Sequence, residues 1–125
     1  MASNNRVFIS FAAEDVRFRD FLVGQGRNER TPFSFVDMSV KEPWDSAWKT
    51  NCRTKIKGCD GMIALLSPKT LNADGARWEI RCAKEEGIRV MGMYVQGACS
   101  APPELSGVRV VDWTWNNIKS FLDSL

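Results

Sequence analysis

Glu79 stands where a carboxylate could do chemistry. It falls in Asp74-Gly75-Ala76-Arg77-Trp78-Glu79-Ile80, shortly after the apolar run Met62-Ile63-Ala64-Leu65-Leu66-Ser67. A buried strand, a loop, and then a helix opening on a Trp-Glu pair can bring an acid to the mouth of a cleft. Open α/β sheets bind their ligands there, outside the carboxyl ends of the strands. The bland alternative is a solvated helix glutamate, which is what most single glutamates in helices are. Because the chain holds no histidine, Ser-His-Asp and Cys-His catalysis are removed, and carboxylates, lysines and hydroxyls are left as the reactive groups.

Other arrangements point to less. Glu14-Asp15 could be the acidic pair of a magnesium-dependent phosphoryl acceptor, but that chemistry needs an aspartate at the end of the third strand, where this chain has Leu65-Leu66-Ser67. A helix N-terminal dipole accounts for the pair. The segment Ser10-Phe11-Ala12-Ala13-Glu14-Asp15 lacks both the glycines of a dinucleotide fingerprint and the Lys-Ser/Thr of a P-loop. Cys52, Cys59, Cys82 and Cys99 show no C-x-x-C spacing, so no metal site is expected and the thiols read as reduced and structural. Trp44 and Trp48 read as aromatic core, with Trp44, beside Pro43 at the end of a loop, the one that could stack on a ligand base. Trp113 and Trp115 read as packing or surface anchors.

These residues need elements to hold them. Arg6 to Phe11 is rich in strand formers, and Val16, Phe18, Phe21 and Leu22 follow on helical spacing, with Gly24 and Gly26 expected to end that helix. Pro32 to Asp37 predicts a second strand, and the loop through Pro43 leads to an apolar stripe of Trp44, Trp48, Cys52 and Ile56. Met62 to Ser67 predicts a third strand. The Glu79 helix follows, with Asn72 or Asp74 available as its cap, an apolar stripe of Ala76, Ile80 and Ala83, and Gly87 at its end. Ile88 to Val95 and Val108 to Asp112 predict two further strands around an irregular stretch, 96–107, and Trp115, Ile118, Leu122 and Leu125 mark a last helix. Strands apolar on nearly every residue and alternating with helices imply a parallel sheet covered on both faces: a flavodoxin-like, doubly wound five-stranded α/β layout.

A length of 125 residues fits one domain over 1–125. Seventeen basic and fifteen acidic residues, interspersed, give a net charge of +2, which makes no case for nucleic acid or a membrane surface as partner. The polar start and the shortness of the apolar runs predict a soluble, cytoplasmic protein.

Taken together, Val7 to Asp15, Phe35 to Trp44 and Arg77-Trp78-Glu79-Ile80 resemble a TIR domain, in the TIR-like branch that includes the ThsB proteins of Thoeris anti-phage defence. The resemblance covers the chain from about Arg6 to the last helix. It implies cleavage of NAD⁺ at the nicotinamide–ribose bond, with NAD⁺ as substrate rather than cofactor. It also implies that Glu79 is the catalytic residue, contacting the nicotinamide ribose and offsetting an oxocarbenium-like charge. Phe11 and Ala12 would border the substrate, the loop from Asp37 through Ser39 to Trp44 would act as a flap over it, with Asp37, Ser39 and Trp44 as binding residues, and Trp78, next to Glu79, would also bind it. Relatives of this kind make cyclic ADP-ribose isomers or related adducts that activate a partner effector. Many become active on homotypic self-association, the flap of one protomer completing the site of another. Two features depart from the family: Trp78 directly precedes Glu79, and most of the usual flap motif is missing. Two other readings compete with the enzyme, a non-catalytic TIR-like interaction module and a phosphate- or flavin-binding flavodoxin-like protein. The latter is disfavoured by the lack of phosphate-wrapping donors in the first loop.

Overall fold

The computed structural model describes residues 5–29, 33–38 and 40–125. Five strands pair in parallel in the order β2-β1-β3-β4-β5: β1 (Asn5–Ser10), β2 (Phe33–Val36), β3 (Gly61–Leu66), β4 (Arg89–Tyr94) and β5 (Val110–Asp112). The chain leaves β1 for one edge and then crosses back to its other side at β3, so the strand order reverses between β1 and β3. That is the crevice where doubly wound sheets take ligands.

Four helices cover the sheet: α1 (Val16–Asn28), α2 (Ser46–Lys57), α3 (Asp74–Glu85) and α4 (Trp115–Asp123). Strand parity sorts the core, since alternate side chains leave a strand on opposite faces. Val7, Ile9, Ile63, Leu65, Met91 and Met93 pack with Leu22 of α1 and Ile118 and Leu122 of α4. Phe8, Met62, Ala64 and Leu66 pack with Cys52 and Ile56 of α2 and Ile80 and Ala83 of α3. Ser10 has the parity of the second set and therefore faces the α2 and α3 layer.

Several local expectations change. Helix α1 runs through Gly24 and Gly26 to Asn28. A glycine inside a helix is unfavourable by only about 1 kcal/mol, and Gln25 is held in this last turn by the indole N–H of Trp113, which donates to its Oε1 at 2.8 Å. Trp44 lies ahead of α2 rather than in its stripe, because Asp45 caps that helix by accepting from the backbone N–H of Ala47 and Trp48. Neither Asn72 nor Asp74 caps α3: a 3-10 turn, Thr70–Asn72, runs straight into it, so Ala73 is the N-cap and Asp74 is the first helical residue. Asp74 instead places its charge at the positive end of the helix. The stretch 96–107 is irregular as expected, with one short 3-10 turn at Pro103–Leu105. Among the described residues no helix is long and apolar enough to cross a membrane.

Candidate active site

The site is built at the carboxyl end of the β1–β3 pair. The helical spacing of Ala76, Ile80 and Ala83 turns one face of α3 into the sheet, and Glu79 shares that face. Its carboxylate is fully buried, a burial that proteins bear only where a charge is met by donors. Ser10 Oγ, at the end of β1, lies 3.0 Å from Glu79 Oε1 and 3.2 Å from the carbonyl of Ala76. Lys41, from the loop between β2 and α2, donates from Nζ to both carboxylate oxygens at 3.0 and 2.8 Å. The Cys52 thiol of α2 lies 3.9 Å from Oε2.

Burial pushes the Glu79 carboxyl up to about 7. The charge and hydrogen bonds of Lys41, and the bond from Ser10, pull the other way without cancelling it, while the charge of Asp37 adds to the rise. Burial likewise raises the thiols of Cys52 and Cys82, and that of Cys59 to about 11. Protonated thiols are poor nucleophiles, which suits the structural role expected of them.

Phe11 and Ala12 follow Ser10 directly and are both buried. The Phe11 ring faces Lys41 Nζ, 4.1 Å from its centroid, and so lies next to the Lys41–Glu79 pair. Asp37 accepts from Arg19 at 2.9 Å and does not touch Glu79. Ser39 lies outside the described residues. Beyond it the loop is pinned by the indole N–H of Trp48, which donates to the carbonyl of Val40 at 2.6 Å.

The two tryptophans go elsewhere. Trp78 is half-buried against the core layer of α2 and α3, edge-on to Trp48 at 5.4 Å and beneath the guanidinium of Arg53 at 5.6 Å. Trp44 is 77% exposed. Both line an open cleft of about 450 Å³ with Lys49, Arg77 and Arg81, away from Glu79. Of the residues the sequence singled out, the fold brings Phe11 to the Glu79–Lys41 pair, leaves Asp37 within electrostatic range of Glu79, and sets Trp44 and Trp78 in a separate cleft.

Lys41 and Ser10 are the partners the sequence reading missed as site residues. Ser10 could have been found from strand parity. Lys41 had a fainter signal in Gly75: a Cβ built there would lie 2.8 Å from Lys41 Cβ and 3.3 Å from its Cγ, so the first turn of α3 has room for the lysine stem only because it carries no side chain.

A second polar cluster fixes the neighbouring loop. Asp15 is buried and accepts from the hydroxyl of Ser67, which also receives the backbone N–H of Lys69 at 3.0 Å. It ties the exit of β3 to the start of α1. Among the described residues no group of three or more Cys, Asp or Glu could hold a metal ion.

A family model described as "Thoeris protein ThsB, TIR-like domain" matches residues 8–100. Among solved structures, the TIR domain of the Toll-related receptor TRR-2 from Hydra magnipapillata superposes with a TM-score of 0.65 at 17% identity, covering 91% of this chain and 88% of that one. The CMP N-glycosidase BcmB of Clostridium botulinum aligns with a TM-score of 0.48 at 21% identity, over 95% of this chain and 96% of that one. Curated proteins give no match.

Proposed function

This chain belongs to the TIR-like domain family of the Thoeris protein ThsB, and from that premise we propose that it cleaves NAD⁺ at the nicotinamide–ribose bond with Glu79 as its catalytic carboxylate. The observation that supports this best is Glu79 itself: a carboxylate wholly buried at the carboxyl end of the sheet, beside the strand-order reversal, with its protonation shifted to near neutrality. Strongly perturbed acids cluster at functional sites.

The chemistry asks little else of the protein. As the bond between the anomeric carbon and the pyridinium nitrogen breaks, its electron pair leaves with nicotinamide and cancels the ring's charge, so no strong acid is required. Positive charge passes to the ribose carbon, where a nearby ionised carboxylate offsets it. Capture by water gives ADP-ribose and a proton; capture by an adenine nitrogen closes a cyclic ADP-ribose-type product. Such a diffusible nucleotide would carry the signal to a partner effector, and homotypic association of the domain would govern when it is made.

Mass spectrometry of protein at high concentration incubated with NAD⁺ tests the reading. Nicotinamide release by wild type and its loss in folded Glu79→Gln is the expected result. Equal release by the variant, or none by either, overturns it. One observation favours a second reading, a non-catalytic interaction module: Lys41 and Ser10 satisfy Glu79 inside the fold, as they would in a purely structural ion pair. On that reading neither protein releases nicotinamide.

A further inference from the structure

Lys41 is held as a ligand would be. Its side chain is 7% exposed, and its ammonium meets both oxygens of Glu79 and the ring of Phe11. A carboxylate and an aromatic ring that meet one cation are the recognition chemistry of an organic cation. The occupant comes from the segment between β2 and α2, and its stem crosses α3 at Gly75, where no Cβ stands in the way. A pyridinium nucleotide presents its own positive charge at the bond to be broken. Two cations cannot share one buried carboxylate, since like charges a few ångströms apart in a dry site repel strongly.

We infer that Phe11 and Glu79 form a subsite for a cationic aromatic ring, and that Lys41 is its internal competitor, leaving with its loop when the ligand enters. The identity of the natural ligand rests on the NAD⁺ reading; the subsite and its occupant do not. The closed arrangement is thus the substrate-free one, and affinity for the substrate is reduced by whatever fraction of molecules hold Lys41 in place. Lys41 is in this sense a specificity-determining residue: it sets a threshold that neutral rings cannot lower, because only a cation replaces what Glu79 loses.

The probe is the 1-methylnicotinamide cation, which has no glycosidic bond to cleave, with neutral nicotinamide as its control. Binding is measured by calorimetry or ligand-observed NMR. Lys41→Met keeps most of the stem and removes the charge; it should bind the cation about tenfold more tightly than wild type, as expected when a closed state populated to about 90% is abolished, and it should still prefer the cation to nicotinamide, which leaves the Glu79 carboxylate unpaired. Gly75→Ala keeps every charge and crowds the stem out, so it should shift binding in the same direction and carries the test if Lys41→Met does not fold. Adding Phe11→Leu to either variant should erase the preference for the cation. No gain in the folded variants, or no preference for the cation over the neutral ring, overturns the inference. Tighter cation binding without any NAD⁺ cleavage would sustain the subsite while removing the proposed enzyme.

Discussion

Among the ion pairs of helix α3, two have opposite character. On its inward face Glu79 meets Lys41 with side-chain exposures of 0% and 7%. At its end Glu85 and Glu86 meet Arg53 of α2 in a pair whose members are a quarter to a half exposed. The contacts are alike in length and chemistry, and solvent makes them different objects. The outer arginine is bonded by two carboxylates that water also serves, so the pair adds little. The inner pair has been stripped of water, and each member depends on the other. Glu104, in the short 3-10 turn Pro103–Leu105, makes the same point: burial alone would raise its carboxyl, yet the hydrogen bond from Arg77 holds it below the usual range. At Glu79 burial wins against its donors.

The largest expected effect that would sharpen this contrast is on catalysis. Glu79→Gln keeps the shape and loses the charge, and nicotinamide release should fall by about a hundredfold or more, the scale seen when a group that stabilises transition-state charge is removed. Arg53→Ala should leave release unchanged. Comparable losses in both would mean that the outer pair, and not burial, sets the activity.

Next in size is stability. Lys41→Met leaves Glu79 buried without its cation and should cost about 3–5 kcal/mol at pH 8 in denaturant unfolding, as breaking a buried pair from one side does. The sign of its pH dependence follows from the raised carboxyl. A folded-state value above the ordinary 4.5 means that the stability tied to the bound proton is present below that ordinary value and lost as pH rises through about 7. Without Lys41 the folded value rises further, so the deficit should grow between pH 5 and 8 and nearly close at pH 5. A deficit flat across that range would show that lost packing of the stem, and not charge, is being measured.

The sequence carried most of this fold because parallel strands buried on both faces must be apolar on nearly every residue, and β3 is buried along its whole length. It carried Glu79 because helical spacing fixes which face turns inward. It misled at Gly24 and Gly26, where tertiary packing outweighs a modest helix penalty. Trp78 is less legible: adjacent helix residues point about 100° apart, and here Trp78 packs on Trp48 and Arg53 while Glu79 turns to Lys41 and Ser10. Lys41 was hidden for a different reason. Its contact with Glu79 spans 38 residues and depends on the path of a loop over Gly75, which no local period encodes.

A smaller effect belongs to Ser10. Its hydroxyl is buried and faces the same oxygen as Lys41. Hydrogen bonds to charged groups contribute about 1.5–3 kcal/mol, so Ser10→Ala should lie below Lys41→Met in cost at pH 8. The groups that face the carboxyl are Lys41, Ser10 and the raised thiol of Cys52, with Asp37 acting at longer range. Catalysis needs Glu79 ionised, so the wild-type kcat/KM for NAD⁺ should rise with pH through the region of 7. Losing a donor that lowers the carboxyl should move that rise to higher pH in Ser10→Ala, and Ser10→Thr should restore it. An unmoved profile would assign Ser10 to the backbone of α3, through the Ala76 carbonyl, rather than to the carboxylate.

The smallest expected effect closes the comparison. Arg53 bonds Glu85 at 2.9 Å and Glu86, and lies over the Trp78 ring, yet Arg53→Ala should cost under about 1 kcal/mol. Added salt should shrink even that, since charges in contact with solvent are screened over roughly 8–10 Å at ordinary ionic strength. The Lys41–Glu79 pair, enclosed by Phe11, Cys52 and Ser10, should be insensitive to the same salt. Denaturant unfolding of the two lysine and arginine variants at low and high ionic strength therefore separates the pairs by mechanism as well as by size. If Arg53→Ala proved as costly as Lys41→Met, or if both responded equally to salt, burial would not be what distinguishes the inner pair, and the case for Glu79 as a poised reactive group would lose its physical basis.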